Sequence, residues 1–238
     1  MRAEATRRAA LRLLLGPALL WQGRKMRRQV LRLPEPEGAR DGVIGTGARQ
    51  LSLLILGDSA TAGVGVATQA DALSGQLTQR LADEFQLTRR LFAQTGWNTA
   101  EVLEEIAGLT GTYQIALISL GVNDVTSEEP VPRYLEQYGR IIDHLRGQHG
   151  VGPVIACAVP PMGSFPALPQ PLRWYLGKQA AYYDRSLAHW CADQQDVHHL
   201  PFSAKIGPED MAEDGFHPGA PIYRVWAKHA AAAISKVA

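Results

Sequence analysis

Short apolar runs alternating with helix-length segments predict an α/β protein: a three-layer α/β/α sandwich around a five-stranded parallel sheet. Three observations carry this. Residues 51–56 (LSLLIL), 115–120 (IALISL) and 154–159 (VIACAV) are continuous apolar runs, as strands covered on both faces require. Between them lie stretches long enough for helices, and residues 73–85 carry apolar side chains at helical spacing. No internal repeat, heptad run or collagen-like period competes with that reading. Strands alternating with such helices give βαβ units and a parallel sheet with helices on both faces.

The elements follow in order. Residues 34–47 (PEPEGARDGVIGTG) read as a linker by composition. The run 51–56 ends at Gly57, and residues 73, 77, 81 and 85 form a helical stripe. A second strand is expected over 87–93. Thr99 offers an N-cap for a helix over 100–107, with Glu101 in its first turn. The strand 115–120 stops at Gly121, and a helix over 131–148 begins at a proline and ends in His149-Gly150. The strand 154–159 is closed by Pro160-Pro161. A long helix over 172–194, a short strand over 197–200 and an Ala-rich helix over 220–237 complete the chain.

The formal net charge of +1 conceals an asymmetry. Residues 1–40 hold ten Lys/Arg and three Asp/Glu, hence +7, and residues 41–238 hold fourteen and twenty, hence −6. Residues 1–47 are therefore read as a basic, partly apolar leader with its linker, and residues 48–238 as one globular domain. The leader's apolar stretch, 9–21, contains Arg12 and is broken by Gly16-Pro17, so it falls short of the ~20 apolar residues that span a bilayer. It lacks a small-residue cleavage site, and Arg24, Lys25, Arg27 and Arg28 follow it, against export. Two readings stay open: peripheral contact of residues 1–33 with an anionic membrane, or a frayed extension before a start at Met26. The expected location is cytoplasmic or on the cytoplasmic membrane face, with export still open. A nucleic-acid partner is not expected, since the basic residues occupy the tail alone without interleaved aromatics. Cys157 and Cys191 form no disulfide framework or C-x-x-C motif.

In a parallel sheet the chemistry belongs at the carboxyl ends of the strands. Ser59 directly follows the first buried run. A serine nucleophile needs a base and a group that orients the base, and Asp214-x-x-His217 supplies both from one short turn. Pro218 suits the first position of the last helix, which would hold His217 at its entrance. Gly96 offers a backbone N–H and Asn123 a side-chain amide, both at strand ends, as oxyanion donors. Asp58 and Asp124 adjoin these positions and are expected to support the loops through bonds to backbone donors.

Taken in order, Leu56-Gly57-Asp58-Ser59, Gly96-Trp97-Asn98-Thr99, Gly121-Val122-Asn123-Asp124 and Asp214-Gly215-Phe216-His217-Pro218 resemble the blocks of the SGNH hydrolases, the GDSL esterase/lipase family. The resemblance spans about residues 51–235 and implies a flavodoxin-like fold. It implies Ser59 as nucleophile, with its own N–H in the oxyanion hole beside Gly96 and Asn123. His217 would be the general base and acid, oriented by Asp214. Ala60 stands where Leu is frequent in the family, a change in packing that removes no catalytic group.

Other readings are weaker. The stretch Gly57-Asp58-Ser59-Ala60-Thr61 is not the G-x-S-x-G of a conventional α/β-hydrolase. After Gly63-Val64-Gly65 the third glycine of a dinucleotide motif is replaced by Thr68. His198 and His199 point to opposite faces of a strand, so no metal is expected, and no organic cofactor. The loop 160–174 (PPMGSFPALPQPLRW) is expected to wall the substrate, through Met162, Phe165, Leu168 and Trp174 with Tyr175 and Trp97 beside it. The expectation is a serine esterase or lipase acting on carboxylic esters or thioesters through an acyl-enzyme. The alternatives are a carbohydrate O-acetylesterase or acyltransferase with the same residues, and a noncatalytic binding module.

Overall fold

The computed structural model describes residues 16–26 and 31–238. Its strands are β1 (Asp41–Ile44), β2 (Arg49–Gly57), β3 (Phe85–Ala93), β4 (Ile115–Ser119), β5 (Val154–Cys157) and β6 (Val197–Leu200). Its helices are α1 (16–26), α2 (Ser59–Ala62), α3 (Leu73–Leu81), α4 (Thr99–Glu105), α5 (Val122–Ser127), α6 (Val131–His149), α7 (Leu172–Ala192) and α8 (Ala220–Val237). One sheet has the order β1–β3–β2–β4–β5–β6.

The five expected strands pair in parallel. The sixth, β1, lies antiparallel on the outer edge of β3, with Asp41 opposite Arg90 and Ile44 opposite Leu87. The sheet is thus six-stranded, and residues 41–44 leave the linker for the domain. Nothing local marks them: they are four residues, largely exposed, whose partner lies far along the chain.

Two cores sandwich the sheet, and β2 shows why. Successive side chains of a strand point to opposite faces. Leu51, Leu53 and Ile55 pack with Leu73, Leu77 and Tyr223 of α3 and α8. Leu54 and Leu56 pack on the other face with Val102, Tyr138 and Ile141 of α4 and α6. Being buried on both faces, β2 is apolar throughout its centre, and truncating Leu54 to Ala would cost about 2–5 kcal/mol. Helix α6 buries one stripe, Tyr134, Tyr138, Ile141, Ile142 and Leu145, at the spacing of a single helix face.

The topology also fixes where a site can form. From β2 the chain passes through α3 on one face to β3, then through α4 on the other face to β4. Strand order reverses there, opening a crevice at the carboxyl end of β2.

Two helix starts differ from expectation. The cap of α4 is Asn98, whose Oδ1 accepts from the Glu101 N–H at 2.9 Å while Glu101 Oε2 accepts from the Asn98 N–H at 2.8 Å. That reciprocal pair leaves Thr99 free to turn inward. Helix α8 is capped by Gly219 and takes Pro221, not Pro218, into its first turn. Pro218 instead bridges antiparallel to Met211, so His217 sits outside the helix.

In the leader, Leu19 of α1 is buried in the core, and Gln22 grips the chain ahead of α7. Gln22 Nε2 donates to the Gln170 carbonyl at 2.7 Å, and Gln22 Oε1 accepts from the Leu172 N–H at 3.0 Å. Residues 1–15 and 27–30, with Arg12, Arg27 and Arg28, lie outside the described residues. Among the described residues no helix is long and apolar enough to cross a membrane.

Candidate active site

Ser59 opens α2 at the tip of β2, where close approach forces the sequence. A Cβ on Gly57 would lie 2.4 Å from the Ser119 carbonyl of the neighbouring strand and 2.1 Å from Thr61 Oγ1. Asp58 caps α2, its Oδ1 accepting from the Ala60 N–H at 3.1 Å. The turn closes on Gly63, whose left-handed φ of 100° suits glycine. From below, the buried Tyr223 hydroxyl lies 2.9 Å from the Ala60 carbonyl and 2.7 Å from the Val64 carbonyl. Burial raises the Asp58 carboxyl to about 6, although the Ala60 N–H and the nearby His217 pull it down.

His217 approaches from the loop before α8. Its Nε2 lies 2.9 Å from Ser59 Oγ, and its Nδ1 lies 2.5 Å from Asp214 Oδ2. The other carboxylate oxygen of Asp214 accepts from the Phe216 N–H at 2.9 Å and the His217 N–H at 3.0 Å. One side chain therefore shapes the turn and orients the ring. Burial pushes Asp214 up, but the hydrogen bonds from the His217 ring and the two N–H groups outweigh it and hold the carboxyl below its ordinary range.

Gly96 and Asn123 stand at the ends of β3 and β4, the strands flanking β2. Gly96 has φ +96° with open space around its Cβ direction, so backbone conformation and not crowding calls for glycine. Asn123 Nδ2 donates to the Trp97 carbonyl at 2.9 Å, tying the β4 end to the β3 end and keeping a second N–H on the same nitrogen. The Ser59 N–H begins a helix and so has no carbonyl partner within it. Asp58 and Asp124 bond backbone donors as expected: buried Asp124 accepts from the Thr99 N–H at 3.2 Å and the Thr99 hydroxyl at 2.5 Å.

One brace was not anticipated. Glu35, in the supposed linker, accepts from both the N–H and the hydroxyl of Thr95 at 2.8 Å and holds Arg40 at 2.7 Å. Burial raises its carboxyl, and the Thr95 bonds and Arg40 more than offset this, leaving it low. Glu35 thereby fixes the loop that carries Gly96. Its sequence signal, an acid between two prolines, is too common to notice.

A cleft of about 400 Å³ opens at Ser59 and His217. Of the six residues expected to wall the substrate, Phe165 lines it; Met162, Leu168 and Tyr175 are buried in the core. Trp97 packs against Phe92, ring centres 5.1 Å apart, and Trp174 is exposed on α7. The loop's apolar side chains turn inward because that is where their surface leaves water. Phe202, Ile206, Met211, Phe216 and Ile222 supply most of the remaining apolar wall. Phe202, Ala204 and Ile206 recur at every second position in the sequence, a pattern that could have revealed them.

No group of His, Cys, Asp and Glu among the described residues is arranged to hold a metal ion. His199 instead pairs with Asp184, Nε2 to Oδ1 at 2.9 Å.

Solved structures of similar fold share little sequence with this chain. One is a carbohydrate esterase family 2 enzyme with a carbohydrate-binding domain from Corynascus thermopiles (Myceliophthora fergusii), with TM-score 0.64, 14% identity and coverage of 81% of this chain and 68% of that one. The lipase Lip_vut3 from a goat rumen metagenome has TM-score 0.61 and 18% identity, over 77% of this chain and 97% of that one. The lipase/acylhydrolase from Enterococcus faecalis has TM-score 0.55 and 19% identity, over 79% and 97%. No curated protein sequence matches the chain. The model of the GDSL-like Lipase/Acylhydrolase family matches residues 55–225, from the end of β2 into α8. That match covers most of the globule and encloses Ser59, Gly96, Asn123, Asp214 and His217, so the chain belongs to the GDSL-like lipase/acylhydrolase family and is an ester-acting hydrolase.

Proposed function

We propose that the protein is a serine esterase that cleaves apolar carboxylic esters through an acyl-enzyme. The observation that carries this is the relay of Ser59 Oγ, His217 Nε2, His217 Nδ1 and Asp214 Oδ2, at 2.9 and 2.5 Å. With its Nδ1–H on Asp214, His217 presents the lone pair of Nε2 to the serine hydroxyl. As Ser59 Oγ bonds to the ester carbonyl carbon, its proton passes to Nε2, and Asp214 stabilises the imidazolium. The negative oxygen of the tetrahedral intermediate is taken by the Ser59 and Gly96 N–H groups and the second N–H of Asn123. When the ester C–O bond breaks, Nε2 returns the proton to the departing alcohol. A water then gives its proton to Nε2 and attacks the acyl carbon, and collapse of the second intermediate frees the acid and restores Ser59.

The walls of the cleft favour an apolar ester. The alternative is an O-acetylated sugar or acyl transfer by the same residues, and carbohydrate esterases are among the structural neighbours, but Phe165, Phe202, Ile206 and Met211 suit hydrocarbon better than hydroxyls. A noncatalytic binding module would have no use for the complete relay. Hydrolysis of p-nitrophenyl esters from acetate to palmitate tests the reading: Ser59→Ala should lose about 10⁴-fold or more in kcat. If the unaltered protein is no faster than Ser59→Ala on every ester, the proposal is wrong.

We also propose that residues 1–33 rest on an anionic membrane surface. Within the described part, α1 turns Leu20 and Trp21 outward, 63% and 62% exposed, beside Arg24 and Lys25, while Leu19 and Gln22 hold it to the domain. Leu20→Ser/Trp21→Ser should reduce co-flotation with phosphatidylglycerol vesicles severalfold. Equal flotation of both proteins would refute the contact.

A further inference from the structure

Adjoining the cleft is a second pocket, of about 590 Å³ including its open mouth, reaching toward the ends of β5 and β6. Neither Ser59 nor His217 lines it, but it shares Asp58, Ala60, Pro160, Phe202 and Ile222 with the cleft, so the two spaces adjoin. Cys157 and Leu200 come from the ends of β5 and β6, and Val225 and Trp226 from α8. The pocket's ionisable lining is Asp58, Cys157 and His229, and the rest is largely apolar. The Trp226 Nε1–H points to Cys157 Sγ at 3.4 Å, and burial raises that thiol to about 12, so it carries no charge.

We propose that this chamber takes the hydrocarbon chain of the ester whose carbonyl sits at Ser59, an unbranched acyl or alkyl chain of medium length. The inference rests on the esterase reading and adds the substrate class. Gly96 and Asn123 stand at the ends of β3 and β4, whereas the chamber lies at β5, β6 and α8. A carbonyl oxygen directed at those donors leaves a substituent free to run toward the chamber. Its lining is mostly apolar, as a hydrocarbon chain requires. Each methylene it removes from water should raise kcat/KM about fourfold until the space is full.

Two variants narrow the chamber from different elements, Val225→Phe on α8 and Ala204→Phe on the loop after β6; neither residue lines the cleft at Ser59. The readout is the ratio of kcat/KM for decanoate to that for acetate in p-nitrophenyl esters, and for decyl to ethyl in acetate esters. At least one ratio should exceed unity in the unaltered protein and fall tenfold or more in both variants, and the responding series identifies the chain as acyl or alkyl. Calorimetry of decanoate and decanol with Ser59→Ala provides a readout without turnover: at least one should bind, and should do so tenfold or more weakly once Val225→Phe is added. If neither ratio nor either ligand's binding responds to the variants, the chamber is not the chain site. Binding that responds where no ester is hydrolysed upholds the chamber and refutes the esterase reading instead.

Discussion

The turn carrying Ser59 is held by main chain and by a tyrosine beneath it, whereas the turn carrying His217 is held by a carboxylate. Around Ser59, Gly57 lies against the Ser119 carbonyl, the Gly63 N–H closes on the Ser59 and Ala60 carbonyls, and Tyr223 reaches two more carbonyl contacts. Around His217, Asp214 takes the ring on one oxygen and two N–H groups on the other, helped by the Ala212 N–H to the His217 carbonyl at 2.9 Å. The nucleophile is thus positioned by the sheet and the base by an ionised side chain. Alignment on the first side depends on packing, and on the second it depends on charge and pH.

The carboxylate is the sharpest place to break that comparison. In Asp214→Asn the amide keeps an oxygen for the two N–H groups but turns its NH₂ toward His217 Nδ1, which must then accept. Nε2 is left protonated and cannot take the Ser59 proton. The expected loss is about 10⁴-fold in kcat, with little change in melting temperature; a loss under tenfold in ester hydrolysis would show that Asp214 does not set the tautomer.

The two aspartates should respond to pH in opposite senses. Asp214 is held low in the fold, so its contribution is present above the ordinary carboxylate range and is lost as pH falls through its lowered value. Asp58 is raised to about 6 from 3.8, so the fold favours its protonated form and loses stability as pH rises between those values. Against Asp58→Asn, which is neutral throughout, the unaltered protein should lose about 2 kcal/mol between pH 4 and pH 7. Melting curves of the pair should diverge across that range; parallel curves would mean that Asp58 ionises as an ordinary carboxyl.

The smallest effect belongs to the support beneath Ser59. Tyr223→Phe leaves the ring packed but removes the hydroxyl from two carbonyls, costing about 1–2 kcal/mol. If main chain holds the turn, kcat should fall less than tenfold while the melting temperature drops; a large fall in kcat with no change in melting would make Tyr223 a positioning residue for Ser59.

The parts of this architecture that were legible in the sequence are those whose cause is local. Buried strands must be apolar on both faces, so residues 51–56 and 115–120 declared themselves, and the residues at their carboxyl ends became candidates. Asp214 and His217 were readable because both belong to one turn. Structure built from distant pairing was not readable. Strand β1 depends on Arg89 and Arg90 across the sheet, and Glu35 on Thr95. The loop 160–174 misled for the opposite reason: apolar composition reports that a side chain leaves water, not whether it does so into a cleft or a core. Asn98 outcompeted Thr99 as the cap because Thr99 had a buried partner in Asp124.

The short strand β1 bears on how the protein behaves in a crowd of its own copies. An unpaired outer edge on β3, nine residues long, would be a template on which a second chain could add a strand. β1 occupies that edge opposite residues 87–90, and the Arg40 carbonyl takes the next donor, the Leu91 N–H, at 2.8 Å. Its own outward edge is only four residues long, beginning at Asp41, which pairs with Arg90. A segment that composition marks as a connector thus cuts the edge that this side of the sheet offers another strand from nine residues to four.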